Sequence, residues 1–402
     1  MTGTHERLER MSARPMQFSV VLGQRASWPE LLRRTRVTEE LGFDGLLLVD
    51  HFYGLFDLDD PTHEAYTMLA ALAPFTSRLK LGVMVTGNTY RNPVFLLKQA
   101  ITVDHISNGR VIFGVGAGWV QREHEAYSFE YPSAGERVSR FAEALEIWRQ
   151  LQANQRTTFE GEHYQLLDAP FAPKSLQPGG LPLLIGGSGP RMLKLTAEYA
   201  DIWNGIGTPK EVGEQNRRVD AACAAAGRNP ASLSRAVSPS INLLASPDAF
   251  ETGVREYQAQ GFDHITFPWP RVEAEEPVLR EVARSVLPRF RGEADVEPSS
   301  AQSRLREPSM ADVAILREWV ASVRDGDAYR ALDYLARHPD QRLDGAALLP
   351  ELGFESHREV TRSFALLGRG LAERGLARLW NEAQRGYLMS SAQAGLLRQA
   401  GG

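Results

Sequence analysis

Leu79-Lys80-Leu81-Gly82-Val83-Met84-Val85-Thr86-Gly87-Asn88-Thr89-Tyr90-Arg91-Asn92-Pro93 is the stretch on which the fold turns. Residues 79–85 read as a buried strand, Thr86 to Asn88 as a polar turn, and Pro93 as the opening of a helix. Strand-to-turn junctions of this kind free polar groups to face a ligand while the strand fixes the backbone. The question is whether the unit stands alone or is repeated.

It is repeated in both directions. Upstream, residues 18–22 form a strand and 28–41 a helix that Gly42 stops. Residues 44–49 form a second strand whose apolar run is continuous, as expected of a parallel strand covered on both faces. A loop at 52–61 and a helix at 63–75 lead into the quoted stretch. Downstream come a helix at 93–108, a strand at 110–116 ending in Gly114 and Gly116, an excursion at 119–131, and a helix at 136–151. A connection through Gly161, Tyr164, Pro170 and Pro173 follows. Strands are then expected at 181–186, 201–206, 236–245 and 264–267, with helices at 211–226, 247–260 and 273–287. Eight strand-then-helix units argue for a (β/α)8 TIM barrel over residues 17–290. A doubly wound sheet would need one switch point and no eighth repeat.

At 402 residues the chain exceeds the roughly 250 of such a barrel. Residues 1–16 read as a disordered tail with Met16 as an alternative start. Residues 291–308 are rich in Glu, Ser, Arg and Pro and read as a linker. Residues 309–402 read as a small helical domain, resembling a winged helix: the turn Leu352-Gly353-Phe354-Glu355-Ser356 separates a short helix from a longer one, and residues 379–389 offer a wing. Arg358, Arg362 and Arg369 share a helix face there. Yet this domain has twelve Arg and no Lys against twelve acidic residues, so a solvated or packing face is preferred to a nucleic-acid surface. The net charge of −5 gives no basic footprint for the whole chain. Cys223 is the sole cysteine, which excludes an internal disulfide and suits a reducing, cytoplasmic setting. No run is long enough to span a bilayer. The expected partner is a small-molecule substrate, in a homodimer without nucleic-acid or membrane partners.

In a barrel the residues just after each strand form the active-site face. Here they are Asp50-His51, Thr86-Gly87-Asn88, Gly116-Ala117-Gly118-Trp119, Gly186-Gly187-Ser188-Gly189, Asn204-Gly205 and Trp269. This polar set with an aromatic wall lacks a lysine base and a close carboxylate pair, which argues against aldolase and glycosidase chemistry. His63, His105 and His124 lie on different elements without metal-ligand spacing, so no metal is expected.

These residues carry a family resemblance. Gly42-Phe43-Asp44-Gly45-Leu46, Asp50-His51-Phe52, the run Thr86 to Pro93, Asp104 to Arg110 and Gly114-Val115-Gly116-Ala117-Gly118-Trp119 belong to it. So do Glu123-His124 with Tyr127, Ile185 to Pro190, and Tyr199 to Asn204. Over residues 17–290 the chain resembles the bacterial luciferase-like monooxygenase superfamily, and within it the oxidoreductases that use the deazaflavin coenzyme F420, with FMN the alternative. The resemblance implies a non-proline cis peptide near the end of the third strand, assigned to Val83–Met84, whose bulge props the cofactor ring. It implies that Asp50, Thr86 and Asn88 meet the ring's polar edge, that Gly118 and Trp119 lie beside it, and that His51 sits near the reactive carbon as the catalytic proton handler.

Gly186, Gly187, Ser188 and Gly189 ahead of a helix offer backbone N–H groups to the cofactor phosphate, with Arg191 as an assistant. Tyr90, Arg91, His124 and Tyr127 are candidates for lining the cofactor or the insertion. The family's sugar-phosphate dehydrogenases carry a glutamate where Trp119 stands and a tryptophan where Leu55 stands, so glucose-6-phosphate is not expected. Phe52, Leu55, Trp119 and Trp269, with Tyr53 and Phe56, suggest an apolar or aromatic substrate pocket.

Overall fold

The computed structural model describes residues 15–54, 59–272, 274–291, 313–323, 327–338, 343–344, 367, 381–383, 386–389 and 391–399. The chain divides into two compact units, Met1–Asp295 and Val296–Gly402.

The first unit is a closed parallel barrel. Strands β1 (Gln17–Val21), β2 (Gly45–Leu48) and β3 (Lys80–Val83) are followed by the short β4 (Thr86–Gly87) and by β5 (Val111–Gly116). An antiparallel hairpin, β6 (Arg156–Glu160) and β7 (Gln165–Pro170), interrupts the series. It resumes with β8 (Leu183–Gly186), β9 (Ile202–Gly207), β10 (Ser234–Pro239) and β11 (His264–Pro268). The barrel order is β3-β2-β1-β11-β10-β9-β8-β5, and the pairing of β3 with β5 closes it. The expected eight strands are all present. The seventh is shorter than the predicted 236–245, because it leaves the sheet at Pro239 and the chain turns into a 3-10 segment at Leu243–Ala245.

Helices α1 (Trp28–Glu40), α2 (Ala65–Leu72), α3 (Pro93–Ile106), α4 (Gln121–Ala126), α5 (Ala134–Ala153), α6 (Pro190–Tyr199), α7 (Pro209–Ala225), α8 (Pro247–Ala259), α9 (Glu275–Glu281) and α10 (Leu287–Phe290) surround it. Pro93, Pro190, Pro209 and Pro247 each take the first helical position, where a missing N–H costs nothing and the fixed φ is already helical. Side-chain caps secure three of these starts: Asn92 accepts from Val94 N–H, Thr208 and Glu211 form a capping box, and Ser246 accepts from Ala249 N–H. The fourth, α6, starts at Gly189, which has no side chain to offer.

The barrel's buried apolar side chains form one core cluster. Phe18, Phe43, Phe250 and Phe267 pack with ring centroids 5.4–6.0 Å apart between strands and helices. Each such side chain contributes about 1.5–3 kcal/mol by leaving water. At the N-terminal end, Arg110 donates to the backbone oxygens of Ala73, Thr76, Leu79 and Ser107. Asp104 there accepts from Ser175, Gln177 and the Leu176 N–H. The run from Asp104 to Arg110 thus ties loops at the end of the barrel away from the candidate site.

In the second unit, α11 (Val313–Val323), α12 (Asp327–Arg337) and α13 (Ser391–Gln399) bury Leu316, Trp319, Leu332, Leu335 and Leu397. A three-stranded antiparallel sheet joins β12 (Leu343–Asp344), β14 (Gly386–Leu388) and β13 (Asn381–Ala383). The hairpin of β13 and β14 falls within residues 379–389. The anticipated turn at 352–356 and the arginine-bearing helix after it lie outside the described residues, apart from Leu367. Among the described residues, no helix is long and apolar enough to cross a membrane.

Candidate active site

The site forms where β2, β3 and β5 end. Fully buried Gln24 holds the chain beyond β2, donating to Val49 C=O at 2.6 Å and accepting from Val49 N–H at 3.0 Å. Asp50 and His51 follow this clamp.

Asp50 is 6% exposed, and both its oxygens are taken by Arg91, at 2.7 and 2.9 Å. Burial pushes its carboxyl upward while the guanidinium opposes that shift. Burial also works against the charge on Arg91, but the bonds to Asp50 and to Glu64, at 2.6 Å, override it and hold Arg91 protonated. The pair is bidentate and enclosed, the geometry in which an arginine–carboxylate bond is strongest. Asp50 is therefore braced from within the protein.

His51 is braced as well. Its Nδ1 lies 2.9 Å from Oε2 of Glu123, a fully buried residue on α4. The same oxygen accepts from the Tyr90 hydroxyl at 2.6 Å, and Oε1 accepts from the Phe52 N–H. Burial alone would raise the Glu123 carboxyl. The bonds from His51, Tyr90 and Phe52 outweigh it and hold the group below its ordinary range, as a carboxylate. The His51 ring meets Trp119 edge-on, with centroids 6.1 Å apart.

Around this pair the excursion after β5 builds an aromatic wall. Phe52 packs against Tyr90, Tyr127 and Phe129 at 5.1–5.3 Å. His124 stacks on Tyr90 at 4.7 Å and bonds Thr89 Oγ1 at 2.6 Å and Val120 C=O at 2.7 Å. Both its nitrogens are occupied, so it is a support of the wall. Trp119 is 67% exposed at the mouth.

The end of β3 differs from expectation by one bond. The non-proline cis peptide is Met84–Val85, not Val83–Met84. Val83 remains in register with Leu48, and Met84 N–H still donates to Leu48 C=O at 2.8 Å, so the ladder holds through Met84. Val85 then faces Gly116 and Gly186: a Cβ on either would come within 3.0 and 3.2 Å of its side chain. Those two glycines are what the bulge requires of its neighbours. Beyond it, the hydroxyl of buried Thr86 pairs with Tyr66 at 3.0 Å. Asn88, 2% exposed, reaches Tyr164 only through its amide nitrogen, at 3.4 Å, and its Oδ1 has no hydrogen-bond partner among the described residues.

Gly118 has φ +82°, and a Cβ there would lie 2.5 Å from Thr89 Oγ1. On the far side, Gly186 ends β8, while Gly187, Ser188 and Gly189 are exposed ahead of α6. Arg191 donates to Gly135 C=O and to Ser139 on α5 instead of toward this turn.

Trp269 is not brought to the site. It is 5% exposed, and its ring lies under the guanidiniums of Arg33 and Arg34 on α1, at 5.8 and 5.7 Å. Leu55 and Phe56 lie outside the described residues. What the sequence reading missed is the role of Glu123, which it quoted only as part of a motif.

The sequence model of the luciferase-like monooxygenase family matches residues 11–337. The chain belongs to that family. Among its relatives, 5,10-methylenetetrahydromethanopterin reductase of Archaeoglobus fulgidus is 31% identical over 216 residues, 53% of this chain and 60% of that protein. The chain thus spans less than two-thirds of that relative. A phthiodiolone/phenolphthiodiolone dimycocerosates ketoreductase of Mycobacterium bovis (strain BCG) is 30% identical over 302 residues, 72% of this chain and 74% of that protein. Among solved structures, an F420-dependent secondary alcohol dehydrogenase in complex with an F420-acetone adduct superposes with a TM-score of 0.61 at 18% identity. It covers 67% of this chain and 98% of that one. Its likeness establishes the barrel fold.

Proposed function

We propose that the barrel is an F420-dependent oxidoreductase that moves a hydride between the cofactor and a small, apolar or aromatic organic substrate. The observation that carries this is the orphaned Oδ1 of buried Asn88, which has no hydrogen-bond partner among the described residues and follows the glycine-lined bulge at Val85. A buried polar atom without a partner costs about 1–3 kcal/mol, and a ring edge that donates a hydrogen bond would remove that cost. The residues present therefore fit a planar heterocycle.

When bound, the deazaflavin supplies the hydride-carrying carbon. The chain's own residues do the rest. The bulge at Met84 and Val85, flanked by Gly116 and Gly186, supports one face of the ring, and Asn88 and Gly118 hold its edge. The turn Gly187-Ser188-Gly189 presents backbone N–H groups and the uncapped start of α6 to the phosphate. Asp50 stiffens the segment that carries His51, and His51 handles the substrate proton. Trp119 and Phe52 offer an apolar face, in keeping with a ketoreductase among the relatives.

Titrating the purified protein with F420 and with FMN, following fluorescence, tests the reading. Saturable F420 binding that weakens at least tenfold in Asn88→Leu is expected. FMN binding without F420 binding would move the protein to the oxygen-activating monooxygenases of the family and overturn the proposal.

A further inference from the structure

We infer that Glu123 is the positioning residue that sets the tautomer of His51, so that Nδ1 carries the proton and Nε2 presents its lone pair to the substrate. The role in turnover rests on the proposed oxidoreductase reading; the tautomer itself does not.

Donors and acceptors around Glu123 fix the tautomer. Glu123 is buried and ionised, so both its oxygens only accept. Oε2 lies 2.9 Å from His51 Nδ1, and that contact is satisfied only if Nδ1 donates. A neutral imidazole with its proton on Nδ1 has an acceptor at Nε2. The remaining demands on the carboxylate are also met, by the Tyr90 hydroxyl and the Phe52 N–H. Nothing in this set is free to reverse, because the Phe52 N–H can only donate. Trp119 flanks the ring edge-on, with centroids 6.1 Å apart.

The consequence for chemistry is direct. As an alcohol carbon gives its hydride to the bound cofactor, the hydroxyl proton passes to the His51 Nε2 lone pair, leaving a carbonyl and an imidazolium. The positive charge then lies beside the Glu123 carboxylate. In the reverse direction the imidazolium returns that proton to the carbonyl oxygen as the carbon receives the hydride. Neither direction requires Glu123 to gain or lose a proton.

Glu123→Gln makes the inference testable, because the amide cannot satisfy the same partners unchanged. Its oxygen must face the Phe52 N–H, since two donors would otherwise oppose each other. The NH2 group is then turned to His51 Nδ1, which becomes an acceptor and drives the proton to Nε2. In cofactor-free protein labelled with 15N-histidine, two-bond 1H–15N spectra report the tautomer, with His51→Gln identifying the signal among nine histidines. The wild type is expected to be protonated at Nδ1 and Glu123→Gln at Nε2, with kcat falling about 100-fold. Tyr90→Phe is expected to keep the Nδ1–H form, because the carboxylate remains.

A wild type protonated at Nε2 overturns the inference without any substitution. A Glu123→Gln protein that melts lower but keeps its Nδ1 proton overturns it too, reducing Glu123 to a structural role. Should F420 fail to bind, the functional proposal falls while the tautomer result stands.

Discussion

Replacing Arg91 with Met isolates the largest electrostatic commitment at the site. The substitution keeps most of the side-chain volume, lying over the Tyr66 ring, but leaves Asp50 buried without its bidentate partner. Breaking a buried pair on one side costs about 3–5 kcal/mol, because the remaining charge is uncompensated. Asp50 can escape that cost by taking up a proton. At about 1.4 kcal/mol per pH unit, over the roughly three units between an ordinary aspartate and pH 7, protonation caps the loss at about 4 kcal/mol. For a unit of this size that is a fall in Tm on the order of 10 °C.

The sign of the pH dependence follows. In the variant, Asp50 has a folded-state pKa raised above its unfolded value, so the native state binds the extra proton. Stability is fully present below the unfolded pKa and is lost as pH rises. Burial already raises Asp50 in the wild type, so the gap between wild type and Arg91→Met is at most about 4 kcal/mol at pH 7 and should shrink to at most about 1.5 at pH 5. The double variant Arg91→Met with Asp50→Asn removes the charge and should recover at least about 2 kcal/mol at pH 7. Thermal melts of the four proteins across pH 5–8 measure all of this. A loss in Arg91→Met that is the same at pH 5 and pH 7, or one the double variant does not recover, refutes the reasoning.

Three further outcomes are expected. Trp119→Ala, at an exposed position, should change stability by less than about 0.5 kcal/mol while raising KM for an apolar substrate roughly tenfold; an unchanged KM removes Trp119 from the pocket. Gly189→Asp meets open space at φ −69° and gives α6 a side-chain cap worth about a few tenths of a kcal/mol over glycine, yet its carboxylate should weaken F420 binding more than tenfold by repelling the phosphate. A retained affinity would take the phosphate away from this turn. Burial pulls His264 down from 6.5 to about 4, so the stability it contributes is present above pH 6.5 and lost as pH falls toward 4. Unfolding at pH 7 and pH 5 should differ by about 2 kcal/mol more in wild type than in His264→Asn, and equal differences would contradict the buried neutral imidazole.

The barrel was legible because both sides of each strand are covered: Leu46, Leu47 and Leu48 are all buried, and such runs leave only a parallel sheet between helices. The hairpin of β6 and β7 was not. Its outward positions include Leu167, 88% exposed, which blurs the alternation that marks a half-buried strand. Position after a strand likewise gave the height of each candidate along the barrel, which brought Asp50, His51, Asn88 and Trp119 to one end.

Height is only one of the coordinates a side chain needs. Pleat parity is the second, and it accounts for Trp269. Thr266 turns inward to Ser238, and Phe267 turns outward to Phe43 and Phe250. Trp269 continues the ladder through its N–H to Val21 C=O, so it shares the parity of Phe267 and lands under Arg33 and Arg34. A period-2 count along β11 carries that information. The third coordinate is rotation about the helix that follows a loop, and this is what placed Glu123 beside a histidine 72 residues earlier in the chain. No local pattern encodes it, because the phase of α4 is set by His124, locked between Tyr90, Thr89 and Val120. The residues that orient His51 were therefore readable as a motif, but not as a geometry.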